Sequence, residues 1–146
     1  MPDYAVRPAD WGYDGAAIAA LRSAVFIDEQ GVPPEDEYDG RDAECAHVVA
    51  ERPDGTVIAT GRLLPEGRIG RMAVARDWRG AGVGRAVLDA LIACAAERGF
   101  DSVDLNAQTA ALDFYARAGF TPTGPVFMDA GIPHRRMRRI LDRDPA

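Results

Sequence analysis

Between Asp77 and Val87 the chain reads DWRGAGVGRAV. Gly80, Gly82 and Gly84 alternate with Ala81 and Val83, and Arg79 and Arg85 flank them. Alternating glycines let neighbouring backbone N–H groups turn toward one point, because glycine reaches positive φ at little cost. The small apolar residues that follow open a helix, whose free N–H groups and positive dipole end face the same point. Such a loop is an anion site, and phosphate or pyrophosphate is its usual occupant.

Spacing narrows the occupant. A Walker loop needs GxxxxGK[ST], and all 17 basic residues of this chain are arginine, so the lysine is missing. A dinucleotide fingerprint needs a third glycine at position 85, where Arg85 stands, although Asp104 falls about where a ribose-binding acid belongs. That fingerprint also follows the first strand of a parallel sheet, whereas this loop follows a strand meander.

The elements that must position the loop are legible on either side of it. YAVRP reads as a short strand stopped by its proline. GAAIAALRSAVF places Ile18, Leu21, Val25 and Phe26 on one helical face, with Asp14 as the expected N-cap. The polar stretch from Ile27 to Ala46, with two adjacent prolines, reads as a long loop with one helical turn, and loops of that length are more often functional than incidental. HVVAE and VIATGRLL are strands joined by RPDGT, a hairpin signal in Asp54 and Gly55, and GRIGRMAV is the third strand of the meander. After the loop, Val83, Val87, Leu91 and Ala95 recur at helical spacing up to Gly99. SVDLNA, TAALDFYARAG, TPTGPVFMD and HRRMRRIL then read as strand, helix, strand and strand.

Composition sets outer limits. At 146 residues, 47% of them hydrophobic and 27% charged, the chain is expected to be one soluble domain spanning 1–146. It has no apolar run of membrane-spanning length and no secretory h-region, which points to the cytoplasm. Residues 1–60 hold 4 arginines against 13 acids and residues 61–146 hold 13 against 10, giving −9 and +3 and the net −6 of the whole. An acidic half of that size argues against nucleic acid, and the division suits a polyanionic co-substrate beside a cationic one. Cys45 and Cys94 have neither metal-like spacing nor a CxxC pair, so no metal site and no disulfide scaffold is expected, only two buried or half-buried thiols.

Arg79, Gly82 and Gly84 fit the pattern R/Q-x-x-G-x-G/A between a strand and a helix, and here the chain resembles the GCN5-related N-acetyltransferase (GNAT) family. VDLNAQTAALDFYARAGFTPTG is similar to that family's following strand, helix and FYxxxGF segment, and the likeness runs from about Tyr4 to Leu141. FIDEQGVPPEDEYDGRDAECAHVV and MDAGIPHRRM look like its small bacterial branch, described as ElaA-like or YjcF-like.

The resemblance implies an α/β fold with a mixed, largely antiparallel sheet flanked by helices. It implies acetyl-CoA as co-substrate and a small primary amine as acceptor, joined by direct attack in a ternary complex. By carry-over, the backbone of Met72, Ala73 and Val74 holds pantetheine and thioester. The amides of Arg79, Gly80, Ala81, Gly82, Val83 and Gly84 receive the pyrophosphate, with Arg79 and Arg85 adding charge, and Asn106 stands on the cofactor side. Tyr115 matches the tyrosine that protonates the departing thiolate; its plain alternative is a core aromatic.

Candidates for the base that deprotonates the amine are Glu29, Glu44 and His47, and the resemblance puts His134 near the site as a further polar residue. Glu35, Asp36, Glu37, Asp39, Asp42 and Glu44 favour a cationic acceptor, against the plainer reading of a solvated acidic loop. Two rival readings stay open: a non-catalytic acyl-CoA sensor, and an acyltransferase like the acyl-homoserine lactone synthases, which RSAVFIDEQG also resembles. Monomer and homodimer are equally compatible with the sequence.

Overall fold

A computed structural model describes residues 3–141. The first strand, β1 (Ala5–Ala9), does not stop at Pro8, which pairs with Val48. Proline is tolerated there because β1 lies at the edge of the sheet. Helix α1 (Trp11–Arg22) is capped by Asp10, not Asp14: the Asp10 side chain accepts from the Tyr13 N–H. Asp14 reaches back to accept from the Asp10 N–H and binds Arg7 with both oxygens, so the two acids divide the capping work.

The chain does not leave the helix at Phe26. It continues as a π-helical segment, Ser23–Glu29, until Gly31 at φ +72° ends it. The expected long loop therefore begins one turn later than its polarity suggests, and it carries the short helix α2 (Pro34–Glu37). Strands β2 (Ala46–Glu51), β3 (Val57–Leu63) and β4 (Arg68–Val74) form the antiparallel meander. Helix α3 (Val83–Glu97) crosses over to β5 (Ser102–Gln108), parallel to β4. Helix α4 (Leu112–Arg117) leads to the hairpin of β6 (Thr121–Asp129) and β7 (Ile132–Ile140). The seven strands run in the order β1-β2-β3-β4-β5-β7-β6, so the sheet is mixed and mostly antiparallel.

The four α3 residues with helical spacing, Val83, Val87, Leu91 and Ala95, are all buried. They pack on the face of the sheet that Gly61 presents, where a Cβ would meet Leu91, Val87 and Met72. The next residue, Arg62, points to the opposite face, as strand alternation requires, and shares Asp42 with Arg22 of α1. Helices thus cover both faces. No helix among the described residues is long and apolar enough to cross a membrane.

One irregularity positions the site. Strands β4 and β5 pair only at Arg68↔Asp104 and Ile69↔Leu105, then part. On its other side β4 bulges: Ala73 pairs Thr60 but Gly70 pairs Arg62, and Arg71 takes φ +49°. Past Ile69 the inner edge of β4 faces open space instead of a neighbouring strand.

Candidate functional site

A cleft of about 500 Å³ fills the gap between β4 and β5. Its walls include Met72, Ala73 and Val74 of β4, Asn106 and Gln108 of β5, Tyr115 of α4, and Val25, Phe26 and Gln30 from the end of the first helix. Of the residues the sequence singled out, Met72, Ala73, Val74, Arg79, Asn106 and Tyr115 meet here. Asn106 Oδ1 accepts from Arg136 Nε at 3.4 Å.

The glycine loop continues from Arg79. Gly80 and Gly82 adopt φ +80° and +82°, and a Cβ at either would meet nothing within 4 Å, so backbone sign rather than space demands glycine. Gly82 caps α3 without a side-chain bond, leaving the first N–H groups of a 15-residue helix pointing out of its end. Gly84 serves packing: a Cβ there would lie 3.2 Å from Val74 Cγ2. Val83 is buried, so what it offers an anion is its N–H alone. Arg85 instead turns along the helix, bonding Asp89 at 2.9 Å and the Arg117 carbonyl at 3.3 Å. These residues fit a pyrophosphate: two glycines of positive φ, a helix start and an arginine at one end of an open strand edge.

Tyr115 lines the cleft half-buried, with its ring edge-on to Phe114 and Phe120 at 5.0 and 6.0 Å. Burial pushes its phenol up to about 12, so it holds its proton at neutral pH and can donate it.

The three candidate bases fare differently. Glu29 is bound by both terminal nitrogens of Arg79, whose hydrogen bonds hold its carboxyl below the usual range. Glu44 sits on an exposed turn and pairs with Arg41, away from the cleft. His47 is buried on β2, stacked on Trp11 at 4.8 Å, with Nε2 2.8 Å from the Asp42 carbonyl. Burial lowers its pKa. None of Glu29, Glu44 and His47 lines the cleft.

The acidic loop is not simply solvated. Glu37 and Asp42 bind the buried Arg22 at 2.6 and 2.7 Å, Asp42 also binds Arg62 at 2.9 Å, and Asp39 pairs with Arg62. Arg71 donates to the carbonyls of Asp36 and Glu37, tying α2 to the bulge of β4. Of the six acids, Asp36 and Glu37 line the cleft, and of these two only Asp36 forms no ion pair among the described residues. Asp129, the last residue of β6, joins it there. Local sequence gave no sign of this network, because its arginines come from α1, β3 and β4. Gln30 and Gln108, joined across the cleft at 2.8 Å, carry no motif either. Cys45 and Cys94 are free, half-buried thiols.

The sequence matches the acetyltransferase (GNAT) domain family over residues 14–141. It is 38% identical over 126 residues to the uncharacterised N-acetyltransferase YjcF of Bacillus subtilis, covering 82% of this chain and 87% of that one. Among solved structures, an acyl-CoA N-acyltransferase from Pseudomonas aeruginosa is 32% identical and superposes with a TM-score of 0.80, covering 95% of this chain and 99% of that one. Escherichia coli ElaA is 29% identical with a TM-score of 0.82, covering 94% of this chain and 99% of that one.

Proposed function

The chain belongs to the GNAT acetyltransferase family, and from that premise we propose that it moves an acetyl group from acetyl-CoA to a small primary amine, with Tyr115 protonating the leaving thiolate. Acyl transfer from an acyl-CoA is the family's chemistry; acetyl as the acyl group, the amine and the role of Tyr115 are this proposal's content.

The observation that carries it is the parting of β4 and β5 after Ile69↔Leu105, directly beside the glycine loop. An extended pantetheine fits there as an added strand, bonded by the backbone of Met72 to Val74, while the loop and the start of α3 receive the pyrophosphate. Acetyl-CoA supplies the activated thioester. The chain supplies orientation along β4, charge at the loop and a protonated phenol on the cleft wall.

The acceptor is a primary amine that is cationic in solution. Asp36 and Asp129 support this, since both residues line the cleft and form no ion pair among the described residues. Their charge favours approach of an ammonium over a neutral or anionic competitor.

Calorimetric titration with acetyl-CoA, repeated on Gly82→Asp, tests the co-substrate site: binding should be tight and lost in the variant. Thiol release on adding putrescine, tyramine or glycine ethyl ester tests the transfer. Acetyl-CoA binding with no thiol release for any amine would make the protein an acyl-CoA sensor and overturn the enzymatic reading.

A further inference from the structure

An ammonium must lose a proton before its nitrogen attacks, and none of the candidates the sequence offered lines the cleft: Glu29 pairs with Arg79, Glu44 with Arg41, and His47 is in the core. We propose that His134 is the catalytic base, an assignment that rests on the acetyltransferase reading above.

His134 stands near the start of β7, on the wall of the same cleft as Tyr115. The turn before it has Ala130 and Gly131 both left-handed, at φ +51° and +75°, which makes a tight two-residue hairpin and fixes Ile132 opposite Asp129. The Ile132 carbonyl then lies 2.7 Å from His134 Nδ1. A carbonyl oxygen only accepts, so Nδ1 must carry the ring proton, and the lone pair sits on Nε2. Phe127 of β6 stacks on the ring at 5.8 Å and 22°, holding its plane. Among the described residues Nε2 has no hydrogen-bond partner, and it is not enclosed. The imidazole is therefore held at one nitrogen and on one face, on a residue that lines the cleft.

The strand register puts this nitrogen at the useful end. His134 pairs with Gln108, the last residue of β5, beyond the point where β5 has left β4. Its cross-strand partners are neutral, Gln108 from β5 and Phe127 from β6, while Arg136 follows on the same face of β7 and donates to Asn106. On the cleft wall the charged groups are the acids Asp36, Glu37 and Asp129 and the arginines Arg62, Arg68, Arg71 and Arg79; Arg62, Arg68 and Arg79 form ion pairs with Asp39, Asp104 and Glu29. The two unpaired acids that draw in an ammonium thus share a wall with the nitrogen that deprotonates it.

The protons balance. His134 Nε2 takes one proton from the ammonium, and the freed nitrogen pair forms the C–N bond to the thioester carbon. The C–S bond breaks and its electron pair leaves on sulfur, which takes the Tyr115 proton. The remaining surplus proton on nitrogen restores the phenol, and His134 returns its proton to solvent, so one proton is released per acetyl transferred.

The test compares wild type, His134→Gln and His134→Ala with whichever of putrescine, tyramine and glycine ethyl ester the wild type acetylates. It follows kcat from about pH 5 to 9, with acetyl-CoA affinity by calorimetry and thermal melting as controls. Expected are a loss of about 100-fold in kcat, unchanged acetyl-CoA affinity, disappearance of the wild type's fall in kcat at low pH, and partial rescue of His134→Ala by added imidazole. An active wild type whose glutamine variant keeps both rate and acid limb overturns the base alone. Loss of acetyl-CoA affinity in step with kcat, without imidazole rescue, also overturns it, because His134 would then be structural. A wild type that binds acetyl-CoA and acetylates no amine overturns the acetyltransferase reading and the base with it.

Discussion

Arg79 grips Glu29 with two parallel hydrogen bonds, Nη1 to Oε2 at 2.8 Å and Nη2 to Oε1 at 3.0 Å, while its Nε donates to the Val74 carbonyl at 3.0 Å. The one guanidinium therefore joins the end of the first helix, the open edge of β4 and the glycine loop. Each of its bonds occupies something acetyl-CoA would use. The pair competes with a pyrophosphate for the arginine and with pantetheine for the strand edge.

Removing the competitor should strengthen acetyl-CoA binding. Glu29→Gln is expected to lower the acetyl-CoA Kd by about 2- to 5-fold, the range of an exposed ion pair, and Arg79→Ala to raise it by about 10-fold through loss of a charge-assisted bond. The Glu29 carboxyl is held below its ordinary value, so the pair is intact at neutral pH and opens only as pH falls through that lowered value. Calorimetry on both variants at pH 7 decides the matter; weaker binding in Glu29→Gln would mean that the glutamate positions Arg79 for the cofactor.

Tyr115→Phe removes one oxygen and little packing, since the ring keeps its edge contacts with Phe114 and Phe120. The expected result is a kcat lower by about 100-fold with acetyl-CoA affinity unchanged. Because burial pushes the phenol up to about 12, the proton stays available in alkaline buffer. The wild-type rate should accordingly hold up to about pH 10. A descending limb near neutrality that vanishes in the phenylalanine variant would contradict that placement of the phenol.

What was legible in the sequence is what short-range physics decides. The glycine loop, the α3 stripe and the three-strand meander follow from backbone sign, 3.6-residue periodicity and turn chemistry, all readable within a dozen residues. The misplacements each needed the rest of the molecule. Pro8 stays in β1 because no strand lies outside it, which no local pattern reveals. Asp10 takes the cap from Asp14 because Arg7, in the preceding strand, claims Asp14. His47 and Glu44 have the right chemistry for a base, but strand pleat and turn direct them away from the cleft. The acids from Glu37 to Asp42 looked like a solvated run until Arg22, Arg62 and Arg71 arrived from three distant elements.

Gly61 is the tightest glycine in the sheet. A Cβ there would lie 2.5 Å from Met72 Sδ and 2.7 Å from Leu91 Cδ1. Leu91 is fully buried and has nowhere to go, whereas Met72 borders the cleft and can swing into it. Gly61→Ala should therefore cost about 1–3 kcal/mol of stability and raise the KM for acetyl-CoA in the same variant. Denaturant melts and steady-state kinetics read the two effects. A stability loss with unchanged KM would show that the strain relaxes through α3 and not through the cleft.

The buried arginine network makes the site's outer wall depend on pH. The side chains of Arg22, Glu37 and Arg62 are 2–3% exposed and that of Asp42 is 9% exposed. Burial alone would push the Asp42 carboxyl up, but its bonds and charge contacts with Arg22 and Arg62 outweigh this and hold it below its ordinary value of 3.8. Asp39 is held down the same way, chiefly by its hydrogen bond from Arg62. Both groups have folded-state values below their unfolded ones, so their stabilisation is complete above about pH 4 and is lost as pH falls through the lowered values. Arg22→Met removes the central cation and leaves Glu37 and Asp42 buried and short of a partner, at a cost of about 3–5 kcal/mol. With that cation gone, burial weighs more heavily on Asp42, and the acid limb of the stability curve should move to higher pH. Urea midpoints of wild type and variant from about pH 3 to 7 measure both effects. A variant with the wild-type limb and midpoints within about 1 kcal/mol of it would mean that α2, and with it Asp36, is held to the cleft by Arg71 alone.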